Sequence, residues 1–313
     1  MTRVSNLKPT FVARVAGTIS PSGSWSTTVT PAAGIAPGAA PAADVAASLA
    51  TSLPATDHEF TVIIPAYNEQ RRLPKTLAEI GRFLDASQLD YRVIVADDGS
   101  SDNTPELAGR HGPRFSTVRL AQNSGKGCAV RTAMLAATGQ VIAFTDADLP
   151  FQLAALRQGY DWIRQSNCEI VFGSRHIGQS SQAAKRNVMR KIATRTFHSL
   201  VKVLVSTDVT DTQCGLKIFS RRAAVEIFSR ATVNGFAFDT EVVVLARRLG
   251  LAHLSMSVTL VNEEASTVSL VRHSLPMLWD VIKMRARLRH SRTALQLPLG
   301  WGQFSPQRHR AAA

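Results

Sequence analysis

In FTDADL, at Phe144 to Leu149, an apolar run from Gly139 to Phe144 stops on two aspartates spaced i, i+2. A strand ending there projects Asp146 and Asp148 from its carboxyl end, where open α/β sheets place their ligands. Two hard oxygen ligands suit Mg²⁺ or Mn²⁺, which binds one or two carboxylates together with a substrate's phosphates. A solvated loop after a strand fits the same residues, because D-x-D alone is a short pattern that arises often by chance.

Working outward, the segments before FTDADL predict more strands that end in polar loops. Phe60 to Pro65, FTVIIP, is a β-branched apolar run stopped by proline, with Ala66 to Glu69 as the loop behind it. Leu73, Leu77, Ile80 and Leu84 recur at helical spacing. Tyr91 to Ala96 predicts a second strand, ending in Asp97, Asp98 and Gly99, and Ser100 to Asn103 supplies turn and cap residues. Strand, helix and strand in that order predict a parallel sheet with right-handed crossovers. A third strand, Ser116 to Leu120, leads into Asn123 to Gly127 and a helix through Ala129 to Ala137. A glycine loop with a lysine before a helix N-terminus can cradle a phosphate. Its G-K-G spacing matches neither the P-loop nor the dinucleotide fingerprint.

Beyond FTDADL, Glu169 to Phe172 predicts a strand running into Gly173, Ser174 and Arg175, whose guanidinium can grip a diphosphate bidentately or stand as a surface charge. Residues 183–205 predict a helix with Met189, Ile192, Phe197, Leu200 and Leu204 on one side and Lys191, Arg195, His198 and Lys202 opposite. Such a helix lies in a membrane interface or packs on a core with a solvated basic face. Asp211 precedes Gly215 and a short apolar strand, Asn234 to Glu241 leads into a helix bearing Val242 to Leu249, and Met256 to Val261 predicts a late strand. A helix from about Leu270 carries the basic run Lys283 to Arg292.

Composition sets the limits. The chain has 313 residues, 45% of them hydrophobic, enough for one main domain with tails. Residues 1–57 are rich in Ala, Pro, Ser, Thr and Gly and predict a disordered leader; 58–270 form the domain, 271–297 a basic amphipathic helix and 298–313 a tail. Cys128, Cys168 and Cys214 lack metal or redox spacing and predict reduced thiols in a cytoplasmic protein. No apolar run approaches the roughly 18 to 20 residues that span a bilayer, so the chain is expected not to be integral. The net charge of +13 invites nucleic acid, an anionic membrane or phosphorylated substrates as partners. Nucleic acid is disfavoured, because the basic residues cluster at one helix and the C-terminus without interleaved aromatics.

Taken together, the chain resembles the family 2 inverting glycosyltransferases of the GT-A fold, and among them the subgroup that makes polyprenyl-phosphate sugars, the dolichyl-phosphate β-glucosyltransferases and dolichol-phosphate mannose synthases. The matching stretches are PAYNE at Pro65 to Glu69, DDGSSDNT at Asp97 to Thr104, GKG at Gly125 to Gly127, DAD at Asp146 to Asp148, GSR at Gly173 to Arg175, DTQCGLKIF at Asp211 to Phe219 and GFAFDTE at Gly235 to Glu241.

The resemblance implies a Rossmann-like α/β domain, a mainly parallel sheet flanked by helices, with a C-terminal amphipathic helical extension. It implies that Pro65, Ala66, Tyr67, Glu69, Asp97 and Asp98 hold the nucleoside and that Lys126 lies near the base or diphosphate. Asp146 would border the sugar, and Asp148 would ligate Mg²⁺ or Mn²⁺. Arg175 would contact the diphosphate, assisted by Arg186 or Arg190. Asp211 would orient sugar or metal, and Asp239 or Glu241 would line the acceptor pocket, so that Asp146, Asp211 and Asp239 are the implied catalytic set. Mannose synthases usually follow this motif with a glutamine ligand; here Pro150 follows Leu149, and the resemblance assigns Asp148 alone as metal ligand. The implied reaction moves a sugar, glucose from UDP-glucose being favoured by the wording of DTQCGLKIF, onto a polyprenyl or dolichyl phosphate. A mannose donor (GDP-mannose) or a saccharide acceptor in cell-envelope glycan synthesis is the alternative. The enzyme would sit peripherally at the cytoplasmic, inner face of the membrane, held by the helix at 183–205 and the basic C-terminal segment.

Overall fold

A computed structural model of the chain describes residues 58–175 and 211–261, the helix at 270–290 with side chains for 277–287, and the backbone of two N-terminal strands, 14–19 and 25–30. The strands are β1 (Arg14–Ile19), β2 (Trp25–Thr30), β3 (Phe60–Ala66), β4 (Tyr91–Asp97), β5 (Phe115–Leu120), β6 (Val141–Phe144), β7 (Ile170–Arg175), β8 (Lys217–Ser220) and β9 (His253–Val258). The helices are α1 (Leu73–Ala86), α2 (Thr104–Leu107), α3 (Lys126–Ala136), α4 (Ala154–Gln165), α5 (Arg221–Phe228), α6 (Phe238–Arg248) and α7 (Leu270–His290).

Period-2 alternation in the central strands builds two cores. Phe60, Val62 and Ile64 of β3 face α1 and α4, together with Leu73, Leu77, Ile80 and Leu84 of α1. Ile63 faces the other layer, where α3, α5 and α6 close over the sheet. The apolar positions of α1 are those its helical spacing predicts, and all four are fully buried. Burying a Leu or Ile side chain contributes about 1.5–3 kcal/mol, so this stripe alone fixes the helix on the sheet. Val281 and Met284 of α7 join the second core, so this helix packs on the domain through one face.

The sheet runs β1-β2-β5-β4-β3-β6-β8-β7-β9. From β5 to β9 it is parallel except for β8, which lies antiparallel between β6 and β7. The chain leaves β3 towards β4 and β5, then crosses back to place β6 on the other side of β3. That reversal is a switch point, and the crevice outside the carboxyl ends of β3 and β6 is where such sheets bind ligands. Because β8 runs the opposite way, its first residue, Lys217, reaches the same edge, opposite Phe144 and Phe172.

Within 1–57, where the composition predicts a disordered leader, β1 pairs antiparallel with β2, and β2 extends the sheet beyond β5. RVAGTI and WSTTVT carry β-branched residues on either side of a Ser-Pro-Ser-Gly-Ser stretch, a hairpin signal that the surrounding Ala/Pro-rich composition obscures. The predicted helix at 183–205, with Arg186 and Arg190, and the tail at 298–313 lie outside the described residues.

Candidate active site

Four loops meet at the carboxyl edge, and side-chain bonds to backbone set the first two against each other. The Asn68 amide donates to Ser100 Oγ at 2.9 Å, the Glu69 amide to Thr104 Oγ1 at 2.8 Å, and Asn68 Oδ1 accepts from the Ser101 amide at 2.9 Å. Asn68 takes φ 55°, a left-handed conformation asparagine tolerates, which turns the chain at the end of β3. Pro65, Ala66 and Tyr67 thus form a fixed floor, with the Tyr67 ring exposed.

Asp97 and Asp98 divide their work. Both Asp98 oxygens are taken by the GKG loop, Oδ1 by the Ser124 amide at 2.7 Å and Oδ2 by the Gly125 amide at 2.9 Å. This carboxylate therefore shapes the loop. Asp97 Oδ2 accepts from the Ser100 amide at 3.2 Å and faces Arg119 Nε at 3.4 Å. Its Oδ1 is buried and accepts no hydrogen bond among the described residues. Burial pushes both carboxyls above the usual carboxylate range.

The GKG loop ends at Gly125, whose φ is 101° and whose missing Cβ would fall 2.4 Å from the Asn234 carbonyl oxygen, so only glycine fits. Lys126 opens α3, and its Nζ lies 2.5 Å from Asp146 Oδ1. This places the lysine on the aspartate side of the crevice. Burial alone would lower its pKa, but the carboxylates of Asp146, Asp239 and Asp148 outweigh burial and hold it above the ordinary value.

The FTDADL turn is pinned from both sides. The Ala147 carbonyl accepts from Thr76 Oγ1 at 2.5 Å, and the Leu149 amide closes on the Asp146 carbonyl at 3.1 Å. A Cβ on Gly215 would stand 2.0 Å from Asp146 Oδ2, so that glycine lets the β8 loop approach the carboxylate. Burial, and next the neighbouring Asp146 charge, push the Asp148 carboxyl upward. Among the described residues no three His, Cys, Asp or Glu side chains converge on one point. Two adjacent carboxylates, of which buried Asp148 is held above the usual range, fit a cation that takes its other ligands from water and a diphosphate.

Across the crevice the charges come in pairs. Arg175 Nε and Nη2 grip Asp211 at 2.6 and 2.8 Å, and the Arg175 amide adds a bond at 3.2 Å. Burial would raise the Asp211 carboxyl, but the guanidinium outweighs it and holds the carboxyl below the usual range. Arg175 retains other N–H groups for an anion while Asp211 fixes its plane. Lys217, 1% exposed, sits 2.5 Å from Asp239 Oδ1 and also donates to the Cys214 carbonyl at 2.8 Å. Burial pushes Asp239 upward, and Lys217 and Lys126 pull it back.

Glu241 does not face the crevice. It is fully buried; its Oε2 accepts from the Thr232 and Val233 amides at 2.9 and 2.8 Å, and its Oε1 pairs with Arg287 of α7. Sequence reasoning gave no role to Lys217, Gly215 or Arg119. A lysine inside the apolar strand LKIF was the available signal, since a buried ammonium needs a carboxylate.

Comparison with known proteins adds independent findings. The profile of "Glycosyl transferase family 2" matches residues 61–228. The chain is 33% identical over 241 residues to a dolichyl-phosphate beta-glucosyltransferase of Dictyostelium discoideum, covering 72% of this chain and 74% of that protein. It is 36% identical over 211 residues to the enzyme of the same name from Drosophila melanogaster, covering 62% and 64%. Among solved structures, glucosyl-3-phosphoglycerate synthase from Mycobacterium tuberculosis, in complex with Mn²⁺, UDP and phosphoglyceric acid, superposes with a TM-score of 0.53 at 17% identity over 78% of this chain and 82% of that one. Another structure of that synthase carries Mg²⁺ and UDP. The sheet and its flanking helices are thus those of the GT-A fold.

Proposed function

The chain belongs to glycosyl transferase family 2, and from that premise we propose that it transfers glucose from UDP-glucose to a dolichyl or other polyprenyl phosphate, inverting the anomeric centre. The names of the related glucosyltransferases support the sugar and the lipid, and the UDP held by the structural neighbour supports the nucleotide.

The observation that carries the acceptor assignment is the commitment of every carboxylate that the resemblance places on the acceptor side. Asp211 is gripped by Arg175, Asp239 by Lys217, and Glu241 by two amides and Arg287. A hydroxyl acceptor would need one of them as a general base, and Asp211, with its carboxyl held low, is poorly suited to take a proton. A phosphate acceptor is already ionised at neutral pH and attacks without a base.

On this reading the 65–69 and 97–104 loops hold the uridine, with Asp97 Oδ1 the unsatisfied acceptor nearby. Asp148, with Asp146 beside it, would hold Mg²⁺ or Mn²⁺. The bound cation would neutralise the charge that accumulates on the leaving UDP. Arg175, oriented by Asp211, and Lys126, oriented by Asp146, add cationic hydrogen-bond donors on the same leaving group. Asp239 and Lys217 stabilise the floor beneath them. Arg190 is proposed as a second diphosphate contact on the strength of the resemblance.

For membrane contact, α7 exposes Trp279 (58%) and Ile282 (42%), with Lys283 5.4 Å above the indole ring. With the basic run behind them, these residues suit the interface of an anionic bilayer, here the cytoplasmic face. No helix among the described residues is long and apolar enough to cross a membrane. The test is incubation of the purified protein with UDP-[¹⁴C]glucose, Mg²⁺ and a short polyprenyl phosphate, followed by solvent partition. Label enters the organic phase and is lost with excess EDTA. Label confined to the aqueous phase would refute the lipid acceptor.

A further inference from the structure

Glu241 is a fully buried carboxylate that the reaction does not use, although it lies two residues from Asp239 at the start of α6. It ties together three parts of the molecule. Its Oε2 holds the Thr232 and Val233 amides, its Oε1 accepts from Thr232 Oγ1 at 3.3 Å, and Arg287 reaches it from α7. The segment fixed in this way is the wall on which the N-terminus of α3 is seated. A Cβ on Gly127 would meet the Val233 carbonyl oxygen at 2.5 Å, and one on Gly125 the Asn234 carbonyl oxygen at 2.4 Å. The Cys128 amide donates to the Asn234 carbonyl at 3.2 Å, and buried Arg131 donates to Asn234 Oδ1 at 2.8 Å. Lys126, the first residue of α3, is the cation that reaches Asp146.

We propose that Glu241 and Arg287 are positioning residues that set Lys126 against the donor's diphosphate by clamping the 232–234 segment under the GKG loop. This rests on the nucleotide-sugar reading above. A lysine contributes to diphosphate binding only where its ammonium lies within hydrogen-bond reach, and the loop lies so close to the 233–234 carbonyls that neither glycine has room for a Cβ. Removing Arg287 leaves the Glu241 charge buried without its cation, so the carboxylate must draw in water or become protonated, and its hold on the two amides loosens. The displacement passes through Val233 and Asn234 to Gly125–Gly127, while the 65–69 and 97–104 loops stay joined to each other through Asn68, Ser100, Ser101, Glu69 and Thr104.

The experiment is titration of UDP and of uridine, each with Mg²⁺, into the full-length protein and its Arg287→Ala variant by calorimetry. The Arg287 side chain is 36% exposed, and the melting temperature of each variant establishes that it is folded before binding is compared. Arg287→Ala weakens UDP binding about tenfold and leaves uridine binding unchanged. Arg287→Lys recovers most of the loss. Glu241→Gln shows the same selective defect, and the double variant is no worse than Glu241→Gln alone, as expected of one clamp. Equal losses for UDP and uridine, or a lowered melting temperature with unchanged UDP binding, would reduce the pair to a structural tie and overturn the proposal. If the unaltered protein bound no UDP, the nucleotide-sugar reading itself would fall, and the clamp with it.

Discussion

Asp148→Asn lowers glucosyl transfer by about 10²- to 10³-fold while raising the melting temperature of the metal-free protein by a few degrees. The two effects share one cause. Burial, reinforced by Asp146, pushes the Asp148 carboxyl above its ordinary value. A carboxyl whose folded pKa exceeds its unfolded one opposes folding wherever both states are ionised. That penalty is absent below the unfolded value near 3.9 and is fully felt above the raised folded value. Asparagine keeps the shape and removes the charge, so metal-free stability rises at pH 7. The cation that would otherwise offset the charge loses its ligand. Calorimetric melting with and without Mg²⁺, beside a transfer assay, checks both parts: the wild type gains stability on adding Mg²⁺ and the variant gains little. A variant with full Mg²⁺-dependent activity would remove Asp148 from the metal site.

Lys217→Met destabilises the domain by about 3–5 kcal/mol, because it leaves Asp239 as a buried charge without its principal partner. The ammonium is enclosed by the Phe144 ring, 5.3 Å away, and the Cys214 carbonyl, so water cannot replace it without opening the core. Lys126 is the remaining cation near Asp239, and its diversion from Asp146 would depress transfer as well. Chemical denaturation measures the loss. The double variant Lys217→Met, Asp239→Leu recovers most of it, since an apolar pair of similar volume suits the site. A single variant as stable as the wild type would show that the pair contributes nothing to the fold.

Much of this architecture is legible in the chain because its signals are local. The spacing of Leu73, Leu77, Ile80 and Leu84 fixes α1, and FTVIIP and YRVIVA fix the two parallel strands beside the crevice. The DAD, GKG and GSR motifs also land on one edge, as strands ending in polar loops must in a parallel sheet. Two kinds of feature escape such reading. One is small-residue structure: α4 buries Ala155, Leu156, Gly159 and Tyr160, two of them too small to mark a helical stripe. The other is pairing across the fold. Nothing local joins Arg175 to Asp211 or Lys217 to Asp239, nor shows that Asp98 faces the glycine loop and Glu241 the core. The resemblance implies that Asp211 orients sugar or metal and that Glu241 lines the acceptor pocket; in the structure one holds an arginine and the other a loop.

The acceptor oxygen arrives ionised, and two acceptors of equal chain length, a polyprenyl phosphate and the corresponding polyprenol, separate this from base-assisted attack. With UDP-glucose and Mg²⁺ at pH 7.5, the phosphate should accept glucose and the alcohol should react more than about 10³-fold more slowly, no general base being available to it. Transfer to the alcohol, or to a saccharide, at a comparable rate that Asp211→Asn or Asp239→Asn abolishes would contradict the account.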